Sequence, residues 1–364
     1  MAEITSKRKA EHIKICLEQK AQARNVTTGF EDVHLIHRAL PEVDKAKIDL
    51  CTTFLGHKLE APIIVGAMTG GTEEATKINA AIAQAVEKLG LGMGVGSQRA
   101  AIEDKHLAKT FSIARRKAPN AFLVANVGGV QLVHGYGLKE AKRAIDMIEA
   151  DALAIHLNAM QEAIQPEGQT NFECVLARIT EIARTLNKPV IVKETGAGIA
   201  AEEAKKLEAA GVKAIDVGGC GGTSFSAVEY YRSGKQEDRF QAETFWDWGI
   251  PTATSLIEVA QTVKIPIIAS GGLRTGTDVA KALTLNASLC SLSQPILEAA
   301  VKGAKETHKS LIRLVEELRN TMFLVGAKKV DELTNKPIVV TGETAKWLTT
   351  RGFNIIGYSR RGVT

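Results

Sequence analysis

Ile267-Ile268-Ala269-Ser270-Gly271-Gly272-Leu273-Arg274-Thr275-Gly276 contains, in one stretch, the unit from which the chain is built. A short β-branched apolar run breaks at glycines, and helical periodicity takes over across 277–285, the pattern of a strand feeding a covering helix. The glycines expose backbone N–H groups and a helix N-terminus favours an anion, so the turn is a candidate phosphate site. A turn that is glycine-rich for geometry alone is the alternative.

Working outward, the same unit recurs. Candidate strands fall at 62–66, 92–96, 122–126, 152–157, 190–193, 214–217, 267–270 and 289–291, all near-continuous apolar runs, as strands buried on both faces should be. Amphipathic stretches at 73–89, 138–149, 172–186, 200–210 and 277–285 are long enough to cover them. Eight alternations close a TIM (β/α)8 barrel more naturally than they extend an open sheet. A doubly wound sheet would carry phosphate-loop glycines after its first strand, and they are missing. The expected organisation is an N-terminal extension, 1–60, packing on the barrel and contributing to the substrate site, followed by the barrel, 61–364. The connection after strand six, 219–251, is long enough to serve as a lid. It carries Trp246 and Trp248, which either close over a ligand or pack a small satellite core.

Composition narrows the class. Of 364 residues, 45% are hydrophobic and 24% charged, ordinary values for a packed domain. No apolar run approaches the ~18 residues of a membrane span. The first twenty residues alternate Lys7, Arg8, Lys9, Lys14 and Lys20 with Glu3, Glu11 and Glu18, unlike a signal peptide, so a cytoplasmic protein is expected. Cys16, Cys51, Cys174, Cys220 and Cys290 lie far apart and read as free thiols. A net charge of +5 leans towards anionic ligands, while few aromatics and no long basic run argue against nucleic acid.

Chemistry in such a barrel sits where strands end. Those positions read Ala67-Met68-Thr69-Gly70-Gly71, Ser97-Gln98-Arg99, Asn126, His156-Leu157-Asn158 with Gln161-Glu162, Lys193-Glu194, Gly221-Gly222-Thr223-Ser224, Ser270 to Arg274, and Ser293-Gln294. Lys193 at the end of a buried strand is costly without a partner. Beside the pyrimidine end of a flavin it would stabilise negative charge, and otherwise it pairs with Glu194 or another carboxylate. Thr69, Ser97 and Asn126 can satisfy the polar groups of the same ligand. Magnesium commonly takes one carboxylate plus substrate phosphate oxygens, a role that suits Glu162. Arg8-Lys9 with His12 is either a basic clamp for a diphosphate or the solvated face of a leading helix. Cys220 has no basic neighbour to activate it and reads as a bystander.

Taken together, these motifs closely resemble the flavin-dependent type 2 isopentenyl diphosphate isomerases of archaeal type, over nearly the whole chain. The resemblance implies interconversion of isopentenyl and dimethylallyl diphosphate with reduced FMN, Mg2+ and NADPH as the usual electron source, in a homo-oligomer, tetramer or octamer. It assigns Ala67, Met68, Thr69, Ser97, Asn126, Lys193, Thr223, Gly271, Gly272, Arg274, Ser293 and Gln294 to FMN. Arg8, Lys9, His12, Arg99, His156, Asn158 and Gln161 fall to the substrate, with Gln161, His156 and Asn158 as catalytic candidates and Glu162 on the metal. Asn286 departs from the family's usual glycine, although Asn tolerates a left-handed cap. The loop Ser291-Leu292-Ser293-Gln294-Pro295 is also less typical.

A 1,3 shift of a double bond needs protonation at one carbon and deprotonation at another, for which ordinary side chains are weak acids and a reduced flavin is better suited. A flavin-dependent 2-hydroxy-acid oxidase is the rival enzyme, but it requires a histidine after strand six, where this chain has Asp216-Val217-Gly218-Gly219-Cys220. A non-catalytic flavin- or anion-binding barrel is the third reading.

Overall fold

The computed structural model describes residues 2–362, with side chains from Arg8 onward. Its centre is a closed barrel of eight parallel strands: Ile63–Val65, Gly92–Gly94, Phe122–Gly128, Ala152–Leu157, Val190–Glu194, Ala214–Asp216, Ile267–Ala269 and Leu289–Leu292. They close in sequence order, with the eighth pairing against the first through Cys290↔Ile63 and Ser291↔Ile64. Each lies within a residue or two of where the apolar runs placed it. The first and third strands are buried along their whole length, which is why they read as unbroken apolar runs.

Covering helices begin and end on local signals. Glu73–Leu89 starts at Thr72, whose hydroxyl accepts from the Ala75 N–H, and stops at Gly90, whose φ of 63° is the left-handed cap that glycine adopts freely. Asn286 sits at φ 75°, so the chain takes there the conformation for which Asn is the best substitute for glycine.

The barrel floor is plugged by a hairpin from the N-terminal extension, Thr52–Phe54 against His57–Leu59. Phe54 and Leu59 are buried with the inward side chains Ile64, Phe122, Val124, Ile191 and Ile268. A strand from the same extension, Val33–Leu35, pairs antiparallel with Ile338–Val340, tying the two ends of the chain together beside the barrel.

The leading helix, Ala2–Glu18, lies over the opposite end. It rests against 219–251, which is not an open lid but contains the helices Phe225–Arg232 and Gln236–Thr244. Trp246 is buried with Ile15, Ala21, Ala227 and Val228, and its indole N–H donates to Gln22 O at 2.9 Å. Trp248 is 61% exposed. For Trp246 the small satellite core is therefore the expectation realised, because two short helices need an apolar contact of their own, whereas Trp248 stacks edge-on with the exposed Phe245 and does neither. Among the described residues, no helix is long and apolar enough to cross a membrane.

Candidate active site

A cavity of about 210 Å³ opens at the carboxyl ends of the strands. Its walls include Ala67 and Met68 after the first strand, Lys193 after the fifth, Thr223, Gly271, Gly272 and Arg274 after the sixth and seventh, and Ser293 and Gln294 after the eighth. Lys9 and His12 of the leading helix close it from above. Nine of the residues expected at a flavin thus share one space with two of those expected at a diphosphate.

The floor is charged. Strand register sets His156 beside Lys193 and Lys193 beside Asp216. The Lys193 ammonium donates to Glu194 O at 2.5 Å and lies 4.0 Å from the Asp216 carboxylate. Its ionic partner is therefore Asp216, not the side chain of Glu194. That side chain turns into a nest of backbone donors, accepting from Thr195 and Gly196 N–H at 2.6 Å and from Ala197 N–H. Burial nevertheless pushes the Glu194 carboxyl up to about 7, against the pull of those donors. His156 is driven the other way, down to about 3, by burial and by the cations Lys193 and Lys9. It is neutral at physiological pH. Asn126 donates its Nδ2–H to Val95 O at 3.1 Å, so its Oδ1 accepts from His156 Nδ1–H at 2.8 Å. This leaves His156 Nε2 as a bare lone pair.

The phosphate cradle differs from the sequence expectation in one respect. The helix that opens at Gly276 is already capped: Thr275 Oγ1 accepts from Asp278 N–H, and Asp278 Oδ2 accepts from Arg274 and Thr275 N–H at 3.0 Å. Gly276 N–H donates to Glu317 at 2.7 Å. Of the donors at that helix end, only Thr277 N–H is left without a partner. Further free donors lie on either side, at Gly271 and Gly272, held at φ 100° and 76°, and at the start of Gln294–Val301, whose N-cap Ser293 makes no side-chain cap bond. Arg274 reaches the cavity with its Nη2 on Gln22 Oε1 at 2.7 Å. A Cβ on Gly66 would lie 2.4 Å from Ser293 Oγ, so that wall has no room for a side chain.

The remaining expected residues, Thr69, Ser97 and Asn126 for the flavin and Arg8, Arg99, His156, Asn158, Gln161 and Glu162 for substrate and metal, do not line this cavity. Lys9 Nζ donates to Ser97 O at 2.5 Å, and its ammonium is lowered to about 7 by burial and by Arg8. Arg99 bonds Glu103 at 2.8 Å and Gln169 at 3.2 Å. Glu162 is buried and accepts from Asn158 Nδ2–H at 2.9 Å and Gln169 N–H at 2.7 Å, with no cation bonded to it. Asn158 also donates to Gln161 at 3.2 Å, while its own Oδ1 is buried without a partner. Among the described residues, no three His, Cys, Asp or Glu side chains gather as a metal cage. A metal here would need Glu162 plus ligand oxygens. Cys220 is buried and its thiol is pushed up to about 11, in keeping with a bystander.

Several site groups went unmarked in the sequence. Asp216 lies in the floor, and Phe225 and Cys16 line the wall. Glu229 holds His12 at 3.0 Å and Arg232 at 2.6 Å, while Glu167 holds Arg232 at 2.7 Å and Arg8 at 3.7 Å. Gln169 joins Arg99 to Glu162. Apart from Glu229–Arg232 and Glu162–Gln169, these partners come from segments remote in sequence, so no local spacing could mark them.

A closed parallel barrel with an anion cradle on one wall, a buried cation in its floor and a basic helix above defines a (β/α)8 protein built around a phosphate-bearing ligand. The family model for FMN-dependent dehydrogenases matches residues 1–117 and 140–340. An isopentenyl-diphosphate delta-isomerase of Methanosarcina barkeri is 50% identical over 365 residues, covering 100% of this chain and 99% of that one. One from Archaeoglobus fulgidus is 50% identical over 348 residues, 96% of this chain and 99% of its own. Among solved structures, a lactate oxidase from Pediococcus acidilactici superposes with a TM-score of 0.65 at 18% identity over 94% of each chain, a likeness of fold alone. The chain belongs to the FMN-dependent dehydrogenase family and, within it, to the isopentenyl-diphosphate delta-isomerases.

FMN fits the residues present. The Gly271-Gly272 turn leaves its N–H groups free beside Arg274 in the cavity, and the buried Thr69 hydroxyl has no partner within the chain.

Proposed function

We propose that the protein interconverts isopentenyl diphosphate and dimethylallyl diphosphate by a 1,3-allylic proton shift, with reduced FMN held against the alkene. The observation that carries this reading is that one cavity has two distinct anion-binding ends. The Gly271-Gly272 turn, Arg274, Ser293 and Gln294 form one; Lys9 and His12, with Arg8 and Arg99 behind them, form the other. A flavin phosphate and a diphosphate substrate fill them without competing.

When bound, reduced FMN supplies ring nitrogens that can exchange protons with the alkene. The chain does the rest. Lys193 would set a cation beside the pyrimidine end of the flavin, and Thr69 would offer a hydroxyl donor. Arg8, Lys9, His12 and Arg99 anchor the diphosphate away from the reacting carbons. Glu162 and the unpartnered Asn158 Oδ1 suit Mg2+ and its bound water. His156, bonded to Asn126, would help hold the substrate beside strand four, and Gln161, bonded to Asn158, would orient it and shuttle a proton there. The packed helices of 219–251 and the leading helix keep water from a cationic carbon. NADPH as reductant, a homo-oligomer of four or eight chains, and a cytoplasmic setting belong to the same reading.

Isomer formation in deuterated water tests it. Substrate and product share an oxidation level, so one equivalent of dithionite per flavin, without oxygen, should support many turnovers, with deuterium entering dimethylallyl diphosphate while the flavin stays reduced. One flavin reoxidised per product, with the two electrons passing to the substrate, would overturn the isomerase reading and favour an oxidoreductase.

A further inference from the structure

The floor of the cavity holds a pair of opposite charges that the reaction as proposed does not use in full. Lys193 ends the fifth strand and Asp216 ends the sixth, and the two are register partners, so both side chains point into the barrel mouth. Asp216 is 5% exposed, and its carboxylate lies 4.0 Å from the Lys193 ammonium. The acid is held from a second side by Ser270, whose hydroxyl donates to Asp216 Oδ1 and whose Oγ accepts from Gly218 N–H at 3.1 Å. Strand five supplies the cation, strand six the anion, and the start of the phosphate turn fixes the anion in place.

We infer that Asp216 is a positioning residue that sets the effective charge of Lys193, so that the floor presents a partly neutralised cation to the flavin ring. An isolated ammonium in a buried site would favour the anionic, reduced ring strongly, because low dielectric strengthens its field. A carboxylate 4.0 Å away subtracts from that field at every point beyond the pair. The inference rests on the isomerase reading for its purpose: a ring that gives up a proton and takes one back in each turnover is poorly served by a floor that holds it in one charge state. His156 stands on the other side of Lys193 and is neutral, so it does not share the task.

The test compares FMN dissociation constants for oxidised and reduced cofactor, measured anaerobically by fluorescence and absorbance titration on Asp216→Asn. Asn keeps an oxygen for Ser270 but removes the charge. The preference for reduced over oxidised FMN should rise about tenfold, equivalent to a rise of roughly 30 mV in the two-electron midpoint potential. In a Lys193→Met background the same substitution should change the ratio less than about threefold, because a buried carboxylate without its cation takes up a proton. If Asp216→Asn does not fold, Asp216→Ser, smaller and neutral, is titrated instead. An unchanged ratio, or both states weakened equally, overturns the inference and leaves Asp216 as a strut for Lys193. Isomer formation by the unsubstituted enzyme is assayed separately, so a failed isomerase reading shows there and not in the flavin ratio.

Discussion

Removing the charge of Glu229 should release the leading helix from the mouth. This carboxylate is 1% exposed and holds two partners, His12 at 3.0 Å on the leading helix and the Arg232 guanidinium at 2.6 Å on the helix below. Charge-assisted bonds of this kind contribute roughly 1.5–3 kcal/mol each. In Glu229→Gln, Arg232 keeps Glu167 at 2.7 Å, so most of one bond is retained and the net loss is about 2–3 kcal/mol. If that loss falls on helix docking, the KM for isopentenyl diphosphate should rise roughly thirty- to a hundredfold, at 1.4 kcal/mol per factor of ten. Affinity for oxidised FMN should change less than about threefold, since Glu229 does not line the cavity. Amide hydrogen exchange over residues 8–18 should accelerate in the variant by a similar factor. An unchanged KM together with unchanged exchange would show that apolar packing around Trp246 holds the helix unaided and that the ion pairs are incidental.

Other consequences are more local. Glu162→Gln should raise the magnesium concentration needed for half-maximal turnover at least tenfold while leaving FMN titrations unaltered, and an unchanged requirement would remove Glu162 from the metal. Gly272→Ala places a Cβ 2.4 Å from Thr28 Cγ2 at φ 76°; with a left-handed cost of about 1–2 kcal/mol, flavin affinity should fall about tenfold or more by equilibrium titration. Because the Lys9 ammonium is lowered to about 7, it is charged below that pH and loses its proton above it. Accordingly, kcat/KM should fall as pH rises through about 7, a limb that Lys9→Met removes. His156, held near 3, should contribute no break between pH 5 and 8.

The barrel was legible because its physics is local: strands covered on both faces must be apolar throughout, and each is followed by a helix of one-sided periodicity. Polar residues at strand ends, such as Lys193, His156 and Asn158, stood out against that background. What stayed hidden depends on contacts between distant segments. The floor hairpin has strands of only three residues, too short for alternation to show, and its plugging role depends on Phe54 and Leu59 meeting inward side chains from seven of the eight strands. Asp216 gave no signal by itself, since its meaning comes from sitting opposite Lys193. One misplacement was avoidable: Thr275-Gly276-Thr277-Asp278 is a capping box in the sequence, and such a box occupies the donors that an anion would need.

The distribution of charge around the cavity follows a division that the proposed chemistry requires. The diphosphate keeps its charge through the reaction, so its end can be as basic as folding allows, and Arg8, Lys9, His12 and Arg99 gather there with their carboxylate partners Glu167, Glu229 and Glu103 set behind. The flavin end carries a phosphate of constant charge on uncharged backbone donors and one arginine, which fixes position without imposing a strong field on the ring. In the proposed reaction only the ring changes charge, and the cavity it would occupy holds a cation, Lys193, already matched by Asp216 and flanked by a histidine that burial keeps neutral. A floor of unpaired lysine would suit an enzyme that stores electrons on the ring. A compensated floor beneath a strongly basic roof suits one that moves protons across it.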